Sequence, residues 1–86
     1  MPNMRRRYTV ILEPDEEGGY HAFCPMLPGC HSEGETVKEA LRNVQETAEL
    51  YVESLVAHGE PVPDDPGLVI ATAEVDADTR AAVGPA

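Results

Sequence analysis

Thr36-Val37-Lys38-Glu39-Ala40-Leu41-Arg42-Asn43-Val44-Gln45-Glu46-Thr47-Ala48-Glu49-Leu50-Tyr51-Val52-Glu53-Ser54-Leu55-Val56-Ala57-His58-Gly59 is the stretch on which the fold turns. Its apolar residues Val37, Ala40, Leu41, Val44, Ala48, Tyr51 and Leu55 recur at helical spacing and share one face over about six turns. Thr36 followed by Glu39 has the form of a capping box: the threonine hydroxyl accepts the Glu39 N–H while the glutamate reaches back. Gly59 offers a left-handed stop, and Pro61 and Pro63 prevent the helix from resuming. The opposite side carries Glu39, Glu46, Glu49 and Glu53, with Arg42 among them. Leu50 also falls on that side, about 220° around from Val37 at 100° per residue.

Upstream, three short strands are expected. Tyr8-Thr9-Val10-Ile11-Leu12 is rich in β-branched and aromatic types, with Tyr8, Val10 and Leu12 on one side. Pro14 to Gly19 is turn chemistry, and Tyr20-His21-Ala22-Phe23-Cys24 reads as the return strand of a hairpin. The expected register sets Glu13 opposite Tyr20, Leu12 opposite His21 and Val10 opposite Phe23; a slip of one residue would invert it. Pro25-Met26-Leu27-Pro28-Gly29 breaks the second strand, because two prolines in four positions cannot pair in a sheet interior. Cys30-His31-Ser32-Glu33 is a short third strand.

Downstream of a Pro/Asp loop, Leu68-Val69-Ile70-Ala71-Thr72-Ala73 is continuous and apolar and suits a fourth strand. The order is strand, strand, strand, long helix, strand: an α+β domain in which one helix covers one face of the sheet. Residues 1–6 form a basic lead-in, 7–75 the domain, and 76–86 a short Ala-rich tail able to make one or two helical turns at most.

The chain has 86 residues, room for one small domain with a thin core. Its formal charge is −10, and half of its six basic residues sit in the run Arg5-Arg6-Arg7. From Tyr8 onward, three basic residues face sixteen acids, which argues against a phosphate-binding surface and allows a basic partner. The arginine run, without interleaved aromatics, reads as a guard on the edge of the first strand. No apolar run approaches the roughly 20 residues of a membrane span, and no signal-peptide apolar region opens the chain, so a cytoplasmic location is expected. Two cysteines, Cys24 and Cys30, are too few for a secreted disulfide scaffold.

No catalytic constellation stands out. His21, Cys24, Cys30 and His31 could ligate a soft metal, but His21 and Cys24 lie three apart on a strand and point to opposite faces. Packing is the plainer role for the cysteines. Glu13, Glu33 and Glu74 sit at strand ends, and the helix acids point away from the sheet, so no carboxylate cluster for two-metal chemistry is expected. Cys24 or Cys30 could pair with His31 without a third group to orient the imidazole. Ser32 and Ser54 lie in no elbow motif, and Gly18-Gly19 precedes a strand rather than a phosphate-binding helix. No metal or cofactor is expected. A binding role remains, for which Met26 and Leu27, held between prolines, and Glu46, Glu49, Leu50 and Glu53 on the far helix face are the candidate contacts; for the loop pair, one residue plugging the core beneath it is the commoner outcome and an exposed apolar tip the other.

Several motifs together resemble a known family. Tyr8 to Glu13, Gly18-Gly19-Tyr20-His21-Ala22, Cys24-Pro25-Met26-Leu27-Pro28-Gly29-Cys30 and Gly34-Glu35-Thr36-Val37-Lys38-Glu39-Ala40-Leu41 are similar to the HicB-like antitoxins. The similarity runs from about Arg7 to Pro63. It implies a partial ribonuclease-H-like fold with strand order 3-2-1-4 that has lost nuclease function. It further implies a cytoplasmic antitoxin of a type II toxin–antitoxin pair that blocks a HicA-type toxin, a small basic protein that cleaves messenger RNA. Assembly as a homo-oligomer, dimer or tetramer, is expected. Many such proteins add a C-terminal DNA-binding module; here 11 residues follow Val75, too few for one, so no direct DNA binding is expected. The alternatives are an oligomeric structural module and a residual metal-dependent nuclease built on Glu13, Glu33 and Glu74.

Overall fold

The computed structural model of the protein describes residues 5–77. Three strands and one helix form in the expected order: β1 (Ile11–Pro14), β2 (Tyr20–Phe23), β3 (His31–Gly34) and α1 (Val37–Ala57). The sheet is antiparallel throughout, in the order β1-β2-β3. The start of the lead-in and the tail from residue 78 onward lie outside the described residues.

The helix ends where its chemistry says it should. Thr36 adopts an extended backbone and its hydroxyl accepts the Glu39 N–H at 3.0 Å. The Glu39 carboxylate reaches back one residue further than the simplest capping box, accepting the Glu35 N–H at 3.1 Å. At the other end Gly59 takes φ +66°, which lets Glu60 N–H reach the Leu55 carbonyl at 2.9 Å and Gly59 N–H reach that of Val56 at 3.1 Å. That pair of bonds is a Schellman stop.

The hairpin register departs from expectation by one residue. Ile11 lies opposite Phe23, Leu12 opposite Ala22, Glu13 opposite His21 and Pro14 opposite Tyr20. The cause is the turn. Asp15 N–H bonds the Gly19 carbonyl, Gly18 N–H bonds the Asp15 carbonyl, and the Asp15 carboxylate accepts the Glu17 N–H. The reversal is completed within Asp15–Gly19, so Pro14 stays in β1 as the residue of an edge strand, where its missing N–H faces outward. The slip separates side chains that the expected register had grouped. Leu12 and Ala22 turn toward α1, while Ile11, Phe23 and His31 share the other face.

The core lies between the sheet and α1. Ala22, Cys24, Leu27, Cys30, Ala40 and Val44 are buried, with Tyr8, Val10, Leu12, Tyr20, Ala48, Tyr51 and Val52 packed around them. The helix approaches β3 closely at Gly34, where a Cβ would overlap the backbone of Glu39 and Ala40. Only part of the apolar stripe is covered: Val37 and Leu41 remain exposed. Both lie on the first two turns of α1, at the flank of the face whose centre, Ala40 and Val44, meets the sheet.

The expected fourth strand does not form. Among the described residues, 60–77 pair with no strand, and Leu68, Val69 and Ile70 are exposed, Val69 to 89%. Among the described residues, the segment is fastened only at its base. Tyr8 donates its hydroxyl to the Pro63 carbonyl at 2.6 Å, and the Asp65 carboxylate accepts the Thr9 N–H at 2.6 Å. Arg6 pairs with Asp64. Beyond Gly67 the chain leaves the domain, and the described residues reach 61 Å along the longest axis against 28 and 21 Å across.

Candidate functional site

The far face of α1 brings four of the six candidate contacts together. Glu46, Glu49 and Glu53 follow one another at spacings of three and four, which places them in a row, and Leu50 stands beside them. All four are exposed, Leu50 to 67%. The row belongs to a rigid element fixed at both ends by its caps, so a partner meeting it orders little backbone on binding. An apolar side chain rimmed by carboxylates suits a basic protein surface with an apolar centre.

The other two candidates do not join that row. Leu27 is completely buried in the core and offers a partner no surface. It is the plug of the proline loop: Leu27 N–H bonds the Cys24 carbonyl and Cys30 N–H bonds the Leu27 carbonyl, a tight reversal that drives the side chain inward. Met26 is half-buried.

The two cysteines flank this loop as free thiols, with Cys24 N–H bonded to the Cys30 carbonyl at 3.1 Å. Burial, reinforced by the neighbouring Cys30, pushes the Cys24 thiol up to about 11, and burial likewise raises Cys30. Both are packing thiols held in the protonated form, poor nucleophiles and poor metal ligands at neutral pH. Among the described residues, no group of three His, Cys, Asp or Glu side chains is placed to hold a metal ion.

The register assembles one arrangement that the sequence reading missed. Glu13, His21 and Glu33 lie in one cross-strand row, and Ile11, Phe23 and His31 in the next, on the face turned away from α1. The His21 ring stands 5.2 Å from that of His31 and 6.3 Å, edge-on, from that of Phe23, and its Nε2 is buried without a hydrogen-bond partner. Glu13 and Glu33 are two strand spacings apart, about 10 Å, and Glu74 lies outside the sheet. The three strand acids therefore do not converge. The alternation of Tyr20-His21-Ala22-Phe23 carried the signal, but the misplaced turn assigned it to the wrong face.

Comparison with known proteins adds the decisive observation. A family model described as the HicB-like antitoxin of a bacterial toxin–antitoxin system matches residues 8–82. The chain belongs to the HicB-like antitoxin family. Among similar relatives, a UPF0150 protein of Synechocystis is 56% identical over 64 residues, covering 74% of this chain and 81% of the relative. Another, from Thermoplasma acidophilum, is 49% identical over 59 residues, covering 69% and 86%. A third, from Helicobacter pylori, is 49% identical over 49 residues, covering 57% and 67%. The match spans the hairpin, the proline loop, the helix and the segment after it. For this HicB-like protein an antitoxin role follows from the family, and with it a toxin as partner. Among the described residues, no helix is long and apolar enough to cross a membrane.

Proposed function

We propose that this protein neutralises a small, basic, HicA-type messenger-RNA-cleaving toxin by occupying its working surface, without catalysing any reaction itself. The family match over residues 8–82 is the observation that carries the reading. The acidic balance supports it, because opposite net charge speeds the encounter of inhibitor and toxin. Residues 7–75 constitute the working domain, a partial ribonuclease-H-like scaffold acting in the cytoplasm as a homo-oligomer. Glu46, Glu49, Leu50 and Glu53 form the contact row on α1, with Met26 as a further contact.

Co-expression with the neighbouring small basic reading frame tests this. Relief of growth arrest and co-purification of the two chains are expected. Arrest unrelieved by this chain, with no co-purification, refutes the pairing. Replacing Glu46, Glu49 and Glu53 by lysine is expected to abolish capture of the toxin while leaving the melting temperature within a few degrees of the parent, since all three are exposed.

A further inference from the structure

The segment Leu68–Ala73 is built to be covered, and its own domain leaves it bare. It is an uncharged, β-prone run of six residues, about 20 Å when extended, in a chain of net charge −10. Its base is fixed beside β1 by the Tyr8–Pro63 and Thr9–Asp65 contacts. Asp65 then accepts the Gly67 and Leu68 N–H groups, and Gly67 takes φ +84°, a shaped turn that carries the run away from its own sheet.

The sheet has two edges, and they differ. The outer side of β3 is engaged by the helix, since Asn43 donates its side-chain amide to the Glu33 carbonyl at 2.8 Å. Among the described residues, nothing engages the outer side of β1 along Ile11–Pro14. The turn bond from Asp15 N–H to Gly19 directs the odd-numbered residues of β1 toward β2, so the backbone groups of Val10 and Leu12 face outward. An open edge and an unpaired apolar strand thus emerge from the same place.

We infer that Leu68–Ala73 adds as a strand to the β1 edge of a second copy of this chain, and that two copies exchange these strands reciprocally. The inference deepens the homo-oligomeric part of the proposed function and does not depend on the toxin. Charge selects the direction. Antiparallel addition sets Glu74 and Asp76 of one copy beside Arg5 and Arg7 of the other, whereas parallel addition would bring them alongside Glu13, Asp15, Glu16 and Glu17. Two copies so acidic repel elsewhere; the exchanged strand carries no charge. Two such strands buried together, with the sheet edges that receive them, reach the order of 1,200 Å² that a specific dimer needs.

Sedimentation equilibrium of the full chain over a concentration series tests the inference. A dimer is expected. Val69→Lys with Ile70→Lys is expected to raise its dissociation constant at least about a hundredfold, with the far-ultraviolet circular dichroism of the monomer retained, because neither side chain packs on its own domain. Glu74→Arg with Asp76→Arg weakens the dimer, and adding Arg5→Glu with Arg7→Glu restores it. A chain monomeric at every concentration overturns the inference, as does a dimer indifferent to Val69→Lys and Ile70→Lys. A monomer that still neutralises toxin overturns strand exchange alone. A dimer with the expected sensitivities that captures no toxin supports exchange and counts against the antitoxin reading.

Discussion

Gly34→Ala is the sharpest test of how α1 sits on the sheet. The added Cβ would lie 2.8 Å from the Ala40 Cα and from the Glu39 carbonyl carbon, and closer still to the Ala40 nitrogen. Ordinary contact begins near 3.4 Å, so the helix must retreat by at least half an ångström at its first turn. The obstacle is backbone, which has no rotamer to escape into. Overpacking of this kind costs about 1–3 kcal/mol. A domain of some 70 residues has roughly 3.5–10 kcal/mol in total, so the loss is a large share of its stability. At about 4–8 °C per kcal/mol for this size, a loss of about 2 kcal/mol lowers the melting temperature by roughly 8–16 °C. Thermal melts by circular dichroism, paired with urea titration, read the change. Ala40→Gly in the same chain is expected not to rescue it, since the clash is not with the alanine methyl. A Gly34→Ala protein that melts with the parent, or one restored by Ala40→Gly, refutes the packing argument.

Four further outcomes are expected. Leu27→Ala removes the fully buried plug of the proline loop and should cost about 2–5 kcal/mol in urea unfolding. Thr36→Ala deletes the hydroxyl that accepts the Glu39 N–H and should cost about 1 kcal/mol, read in the same assay. Asp65 is held down to about 2, first by the Thr9 N–H and then by that of Gly67; its stabilising effect is present above about pH 4 and lost as pH falls through 2. An Asp65→Asn chain should show a flatter stability profile over that interval. Cys24 is raised from 9.0 to about 11 by burial, so its contribution holds below pH 9 and is lost as pH rises through 11. Thiol titration of the folded protein at pH 8 should be much slower than in urea.

The helix was legible because its signals are local: Thr36, Glu39 and Gly59 act within a turn of themselves, and each does in the fold what its chemistry indicated. The first three strands were located to within a few residues. Their register was not, because it hung on whether Pro14 ends β1 or remains in it, and an edge strand tolerates either. That one-residue difference moved Phe23 and His21 to the face away from α1. Leu27 illustrates a second limit: two prolines predict a rigid loop without saying which way its apolar residues turn. The row on α1 was legible from helical spacing alone, since Glu46, Glu49, Leu50 and Glu53 stay exposed wherever the stripe packs. The run Leu68–Ala73 was expected as a fourth strand from its apolar, β-branched composition, yet it pairs with no strand and stays exposed, because composition marks a run that can pair without supplying the edge it pairs with.

The hydrogen bonds from Tyr8 to Pro63 and from Thr9 to Asp65 join residues 55 and 56 positions apart, nearly the full span of the folded unit. Closing so long a loop is entropically costly, while the hairpin and helix form from near neighbours. The clasp is therefore the last part of the molecule to form and the first to open. In hydrogen–deuterium exchange, the Thr9 amide should lose protection well before those of Ala22 or Val44, and each opening would free residues 64–77 to swing without disturbing the domain behind them.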